Sequence, residues 1–155
     1  AAAKQALNVP VGLHGADNFL YEAVEQQGMM FGLRVDSQPP VDFFYEKGHE
    51  RLRFGTYGVW VLHTPGHCPG GVCLAIGKTG SDSEDVTAGT RALFVGDTLF
   101  DGSIGRTDLP GGDHATLLGS IRNVLFRFPD DTVVYSGHGE PTTVGRERAT
   151  NPFLA

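Results

Sequence analysis

LFVGDTLFDGSIGRTDLPGGDHATLLGSI, residues 93–121, is the stretch on which the fold turns. It begins at the end of an apolar run, residues 91–95, that stops at Gly96-Asp97. A short continuous apolar run closed by glycine reads as a buried strand. The stretch ends where Asp113 precedes Leu117, Leu118, Ile121, Val124, Leu125 and Phe128 at helical spacing. Aspartate is a favoured N-cap, so a helix is expected to start there. Strand, glycine-rich loop and helix in succession predict an α/β layered domain with covered sheet faces.

Moving outward, the same device occurs twice more. Residues 59–62 form an apolar run, followed by His63-Thr64-Pro65-Gly66-His67. Residues 132–135 form another, followed by Ser136-Gly137-His138-Gly139. Three strands therefore end on small residues and then a His or Asp: His67, Asp97 and His138. Ligands in layered α/β folds bind where strands end, because the loops converge there on a rigid sheet. A lone histidine after a strand is more often a capping residue, and Gly-Asp is a common turn. The shared context makes the three a set. Two imidazoles and a carboxylate suit zinc or non-haem iron. The chain has 22 glycines, clustered around these residues. Glycine costs backbone entropy, so its local density implies a local need for sharp turns and close approach.

The rest of the chain supplies the frame. Residues 1–8 read as the tail of a helix, and 9–13 as a short strand. Asp17 can cap a helix running to Gln27, with Leu20, Ala23, Val24 and Gln27 on one face. Residues 32–40 read as a loop. Leu52 and Phe54 alternate with charges, which predicts a half-buried strand over 50–54. Residues 71–76 read as a strand. Residues 78–90, polar and rich in Gly and Ser, read as a surface insertion. Met29, Met30 and Phe31 are expected in the core or packed at a helix end, and Trp60 in the core.

Length and composition narrow the class. One domain is expected over residues 1–155, with 40% hydrophobic and 19% charged residues. The net charge is −6 without a Lys/Arg run, which argues against nucleic acid or an anionic membrane as partner. No apolar stretch is long enough for a membrane span. The two cysteines, Cys68 and Cys73, lie too near one another for a disulfide framework, so a cytoplasmic setting is expected.

The segments TPGH (64–67), FVGD (94–97) and SGH (136–138) resemble the later metal-binding motifs of the metallo-β-lactamase fold superfamily. Residues 93–121, with YSGHGEPTTVGRERATNPFL (135–154), resemble the small bacterial proteins grouped with type II glyoxalases, the hydroxyacylglutathione hydrolases. The resemblance implies the αββα sandwich of that superfamily. It implies two divalent metal ions, zinc first, with iron or manganese as alternatives. His67 would lie on one ion, His138 on the other, and Asp97 would bridge them as the catalytic carboxylate. It further implies hydrolysis of a thioester such as S-lactoylglutathione by metal-bound hydroxide. Arg106 would contact the carboxylate of a glutathione conjugate, a task suited to its planar fork. The bland reading of Arg106 is an ion pair with Asp108 or Asp113 that shapes the loop. Asp108 is also a candidate for orienting a metal ligand from behind. His63 is read as a strand-end residue, His14 and His49 as solvated or hydrogen-bonded, His114 as a surface residue, and Cys68 as a small buried one.

One departure matters. The family's first motif, HxHxDH, does not occur in these 155 residues. The numbering is therefore expected to start just after it, as the C-terminal portion of the family's domain, without the first strands and most ligands. The chain alone is then expected to be inactive, and to expose a sheet edge and an apolar face that lead to a partner segment, a self-associated pair or poor solubility. Two other functions are open. A persulfide dioxygenase would use a single Fe(II) held by His67, Asp97 and a further histidine. A degenerate member would be a binding protein without catalysis.

Overall fold

The computed structural model describes residues 2–35, 37–45, 49–78, 85–87 and 89–154, with the side chains of 49–51 left aside. The contacts group the chain into two compact units, Ala1–Glu46 and Lys47–Ala155.

The first unit contains helix α1 (Ala2–Leu7), strand β1 (Gly12–His14), helices α2 (Asn18–Glu22) and α3 (Val24–Met30), and strand β2 (Phe43–Tyr45). β1 and β2 pair in parallel, Gly12 opposite Phe43 and His14 opposite Tyr45. Polar links hold the ends. Lys4 Nζ reaches Asp42 Oδ2 at 2.5 Å, and Val11 N–H donates to the same oxygen at 2.7 Å. Lys4 holds the Asp42 carboxyl below its usual range. The single helix expected from Asp17 is two short ones, because the chain turns at Ala23. Asp17 occupies the cap position without a side-chain cap bond. Met29, Met30 and Phe31 are exposed by 70–78%, which corrects their expected burial. They close a short helix that, within this unit, offers them no apolar layer.

The second unit is built on a six-stranded mixed sheet. Its strands are β3 (His49–Phe54), β4 (Tyr57–His63), β5 (Val72–Lys78), β6 (Thr90–Gly96), β9 (Val133–Ser136) and β10 (Thr142–Thr143). The spatial order is β10-β9-β6-β5-β4-β3, antiparallel except for the β6–β9 pair. Between β6 and β9 run the hairpin strands β7 (Leu99–Phe100) and β8 (Ser103–Ile104), then helix α4 (His114–Asn123) and the 3-10 turn Leu125–Arg127. Helix α5 (Val144–Thr150) follows β10. Asp113 caps α4 as read, accepting from Thr116 N–H at 2.7 Å.

One sheet face packs on the helices. Trp60, Leu62, Cys73, Ala75, Leu93, Val95 and Val134 meet Leu117, Ile121, Leu125 and Phe128 in a single buried cluster. The other face carries Phe94 and Tyr135, stacked with centroids 5.1 Å apart, both exposed by about 40%. Leu52 and Phe54, expected half-buried, are exposed by 40% and 54% on edge strand β3. Alternation in an edge strand marks two faces but does not cover either. Most of the 78–90 insertion lies outside the described residues, though Lys78 still belongs to β5 and Thr90 to β6.

Candidate metal centre

Each ligand candidate lies within four residues of the end of its strand. β4 ends at His63, whose Nε2 lies 2.8 Å from the Pro69 carbonyl, a strand-end role. The chain then turns through Thr64, Pro65 and Gly66. Gly66 has φ +134°, and a Cβ there would run into the backbone of Leu117 in α4. The turn is pinned to that helix: Asp113 N–H donates to Gly66 O at 2.8 Å, and Ser120 Oγ to Pro65 O at 2.7 Å. His67 is thereby presented next to the ends of β6 and β9.

Asp97 follows β6 and His138 follows β9, the two parallel neighbours. Their loops are tied by Gly137 N–H, which donates to Gly96 O at 2.8 Å. A Cβ on Gly137 would press into Asp97 Oδ1, so only glycine allows the two loops to come this close. Ser136 Oγ donates to the His138 carbonyl at 2.6 Å, and the His138 ring stacks on Phe100 with centroids 4.6 Å apart.

The structure brings the three residues together. His67 Nε2 lies 3.8 Å from Asp97 Oδ2, and His138 Nε2 lies 3.8 Å from Asp97 Oδ1. These distances are too long for hydrogen bonds. They are a few tenths of an ångström wider than the separation of about 3.3–3.6 Å that two bonds of about 2.0–2.2 Å make at a tetrahedral ion. Each carboxylate oxygen faces a different imidazole. Among the described residues no three His, Cys, Asp or Glu side chains converge on one point. His67 Nδ1 lies 2.8 Å from the Arg106 carbonyl, which fixes the tautomer with the proton on Nδ1 and turns the Nε2 lone pair toward Asp97. The donors thus fit divalent metal ions in chemistry and direction.

Around them, Phe100, Ser103, Ile104, Arg106 and Gly139 complete an open cavity of about 410 Å³. The Arg106 guanidinium is held by Asp108, Nε to Oδ1 and Nη2 to Oδ2, both at 2.7 Å. This pair draws the Asp108 carboxyl down to about 2. Of the two readings of Arg106, the ion pair with Asp108 is the one formed here, while the residue still lines the cavity. Asp108 itself acts on Arg106. The hold on His67 comes from the Arg106 main chain, which no residue-type pattern displays. Cys68 is partly exposed, and Cys73 is buried against Thr64, with Oγ1 and Sγ 3.0 Å apart. Burial pushes the Cys73 thiol up to about 11. His14 accepts from Ala16 N–H, His114 is exposed at the start of α4, and the His49 side chain lies outside the described residues.

Sequence reading missed the β7–β8 hairpin and helix α5. Asp101-Gly102 between Leu99-Phe100 and Ser103-Ile104 is a hairpin signal that could have found the first. Thr143, whose Oγ1 accepts from Arg146 N–H at 3.3 Å, is a cap that could have found the second.

Comparison with known proteins fits this geometry. A hydroxyacylglutathione hydrolase, GloC, of Haemophilus influenzae is 38% identical over 97% of this chain and 66% of its own length. The chain thus spans just under two thirds of that relative. The crystal structure of BLEG-1 B3 metallo-beta-lactamase matches 99% of this chain and 69% of its own, with 38% identity and a TM-score of 0.81. TTHA1623 in a di-iron-bound form matches 97% of this chain and 68% of its own, with 40% identity and a TM-score of 0.77. The family model of the metallo-beta-lactamase superfamily matches residues 3–138, and with the three motif residues placed around one cavity, the chain belongs to that superfamily.

Proposed function

We propose that His67, Asp97 and His138 are part of a two-metal centre that hydrolyses a thioester, with an S-acylglutathione such as S-lactoylglutathione as the substrate class. The observation that carries this reading is Asp97, whose two oxygens face two different imidazoles at equal distances. A carboxylate so placed can serve two ions, whereas a facial triad needs its donors on one. Bound divalent ions would supply an activated water near neutral pH and polarise the carbonyl. Zinc suits the donor set, and iron is compatible with the di-iron relative.

The chain's own residues do the rest. His67 is held by the Arg106 carbonyl in the tautomer that leaves Nε2 free. Phe100 and Ile104 give the cavity an apolar wall against which an acyl group can rest and from which water is displaced. Arg106 stands at the rim with its charge partly balanced by Asp108, and an anionic thiol carrier would compete with Asp108 for the same fork. A cytoplasmic setting, where glutathione is abundant and Cys68 and Cys73 stay reduced, accords with this substrate class.

Three donors are a minority of a two-metal set, so the 155-residue chain should turn over thioesters weakly or not at all. The test is a chimera with an HxHxDH segment of the family placed ahead of this chain, loaded with zinc or iron and assayed for thiol release from S-lactoylglutathione. Hydrolysis that disappears in Asp97→Ala is expected. Oxygen uptake with glutathione persulfide and no thioester cleavage would replace this reading with the dioxygenase. Metal uptake with neither activity would leave a binding protein. Rapid thioester turnover by the chain alone would refute the partial-site reading.

A further inference from the structure

Glu147 is fully buried in α5, and its carboxylate takes three hydrogen bonds. Thr142 Oγ1 donates to Oε1 at 2.6 Å, and Asn151 Nδ2 to Oε2 at 2.8 Å. The third donor is the main chain of Gly102, 3.0 Å from Oε2 and 45 residues away. A buried carboxylate is costly unless its oxygens are satisfied, and an apolar side chain of this size would fill the same space. The location of its donors shows what the carboxylate holds.

Gly102 is at the tip of the β7–β8 hairpin. Its neighbours are tied to the same helix. Asn151 Nδ2 also donates to Ser103 O at 3.1 Å, and Arg146 Nη2 meets Asp101 Oδ1 at 2.9 Å. Three consecutive hairpin residues are thus fastened to the segment 146–151. The residue just before them is Phe100, whose ring lies on that of His138 at 23° between planes. The His138 side chain is 73% exposed, so the stack is a large part of what limits its rotation.

We infer that Glu147 is a positioning residue for the metal centre: by holding the Gly102 N–H it sets the hairpin that lays Phe100 on His138, and so aims His138 Nε2 at Asp97. The inference rests on the reading of His138 as a ligand. Supporting groups of this kind orient a ligand without touching the ion, and their loss typically costs about 10–100-fold in metal affinity.

The test uses the metal-free 155-residue chain and the NMR signals of the His138 ring, which the Phe100 ring current displaces; Phe100→Leu gives the unstacked reference. Glu147→Met keeps the length and removes every acceptor. Glu147→Gln keeps an oxygen for Gly102 and Asn151, while the Thr142 hydroxyl can reverse to accept from its amide. In Glu147→Met the His138 signals should move most of the way to the Phe100→Leu positions while those of His67 stay put. Zinc affinity should fall about tenfold in that variant and hold within about twofold in Glu147→Gln. Should Glu147→Met fail to fold, Asn151→Ala removes one of the anchors more gently and should move His138 in the same direction by less.

A folded Glu147→Met or Asn151→Ala protein with unmoved His138 signals overturns the inference. Equal displacement of His67 and His138 overturns it too, because that would be general loosening. The ring signals are read without metal. If they move as expected while even the chain joined to an HxHxDH segment takes up no zinc, the metal-centre reading fails and the coupling of Glu147 to His138 stands.

Discussion

The two units of this chain use apolar residues in opposite ways. In Lys47–Ala155, Leu93, Leu99, Leu117, Ile121 and Leu125 are fully buried between one sheet face and the helices. In Ala1–Glu46, Gly28 is the only buried residue among those described, while Phe19, Met29, Met30, Phe31, Leu33 and Phe44 are each exposed by 43% or more. Both units show helical and strand patterning in sequence. Patterning specifies which face an element would bury, and a packed partner decides whether it does. The ligand candidates all stand on the unit whose sheet has such a partner, as expected of a site that needs rigid supports.

Stability should separate the two units most strongly. Leu117→Ala should cost about 2–5 kcal/mol, since it empties fully buried space beside Gly66. Phe19→Ala, at a residue 48% exposed, should cost less than about 1 kcal/mol. Urea unfolding of the two variants measures both. Equal losses would show that the first unit has a core of comparable importance.

Metal uptake should separate them by the next largest margin. Asp97→Ala should lower zinc affinity about 100-fold, because one carboxylate faces both histidines. Asp42→Ala, a comparable loss of charge in the first unit, should leave zinc affinity unchanged. Calorimetric titration of the two variants decides, and parity between them would remove Asp97 from the centre.

The smallest effect is in acid. Asp42 and Asp108 are both depressed, by Lys4 and Arg106 respectively. A depressed carboxyl pKa gives stabilisation that is present above the unfolded value of about 3.9 and lost as pH falls through the folded one. For Asp108 that window runs from about 4 down to about 2. Carboxyl carbon NMR should find Asp108 titrating near 2. It should return toward about 3.9 in Arg106→Ala while Asp42 keeps its value. An unchanged Asp108 in that variant would show that Arg106 is not the cause.

What could be read from sequence follows the same division. Strands β4, β6 and β9 were legible because each is a short apolar run cut off by glycine, and the cut-off itself pointed to His67, Asp97 and His138. Strand β2 was not, because Phe43–Tyr45 pairs with β1 across helices α2 and α3 and three residues carry little periodicity. Helix α5 was hidden by its composition: VGRERAT looks like a solvated segment, yet Val144 and Glu147 are buried. A glutamate satisfied by donors 5 and 45 residues away leaves no local pattern. Arg106 shows the same limit. Its residue type suggested an anion partner, which Asp108 supplies, while its hold on His67 passes through an atom every residue shares.

That last contact has a consequence for genetics. Because His67 is gripped by a main-chain oxygen, exchanging the side chain at position 106 for any of the others leaves the grip in place. A mutational scan of Arg106 would therefore report only on the guanidinium and its neighbours, and would score the position as dispensable to the histidine it supports. The support would come to light through changes that shift the backbone instead, such as a side chain forced onto Gly105, where a Cβ would collide with the carbonyl of Asp97.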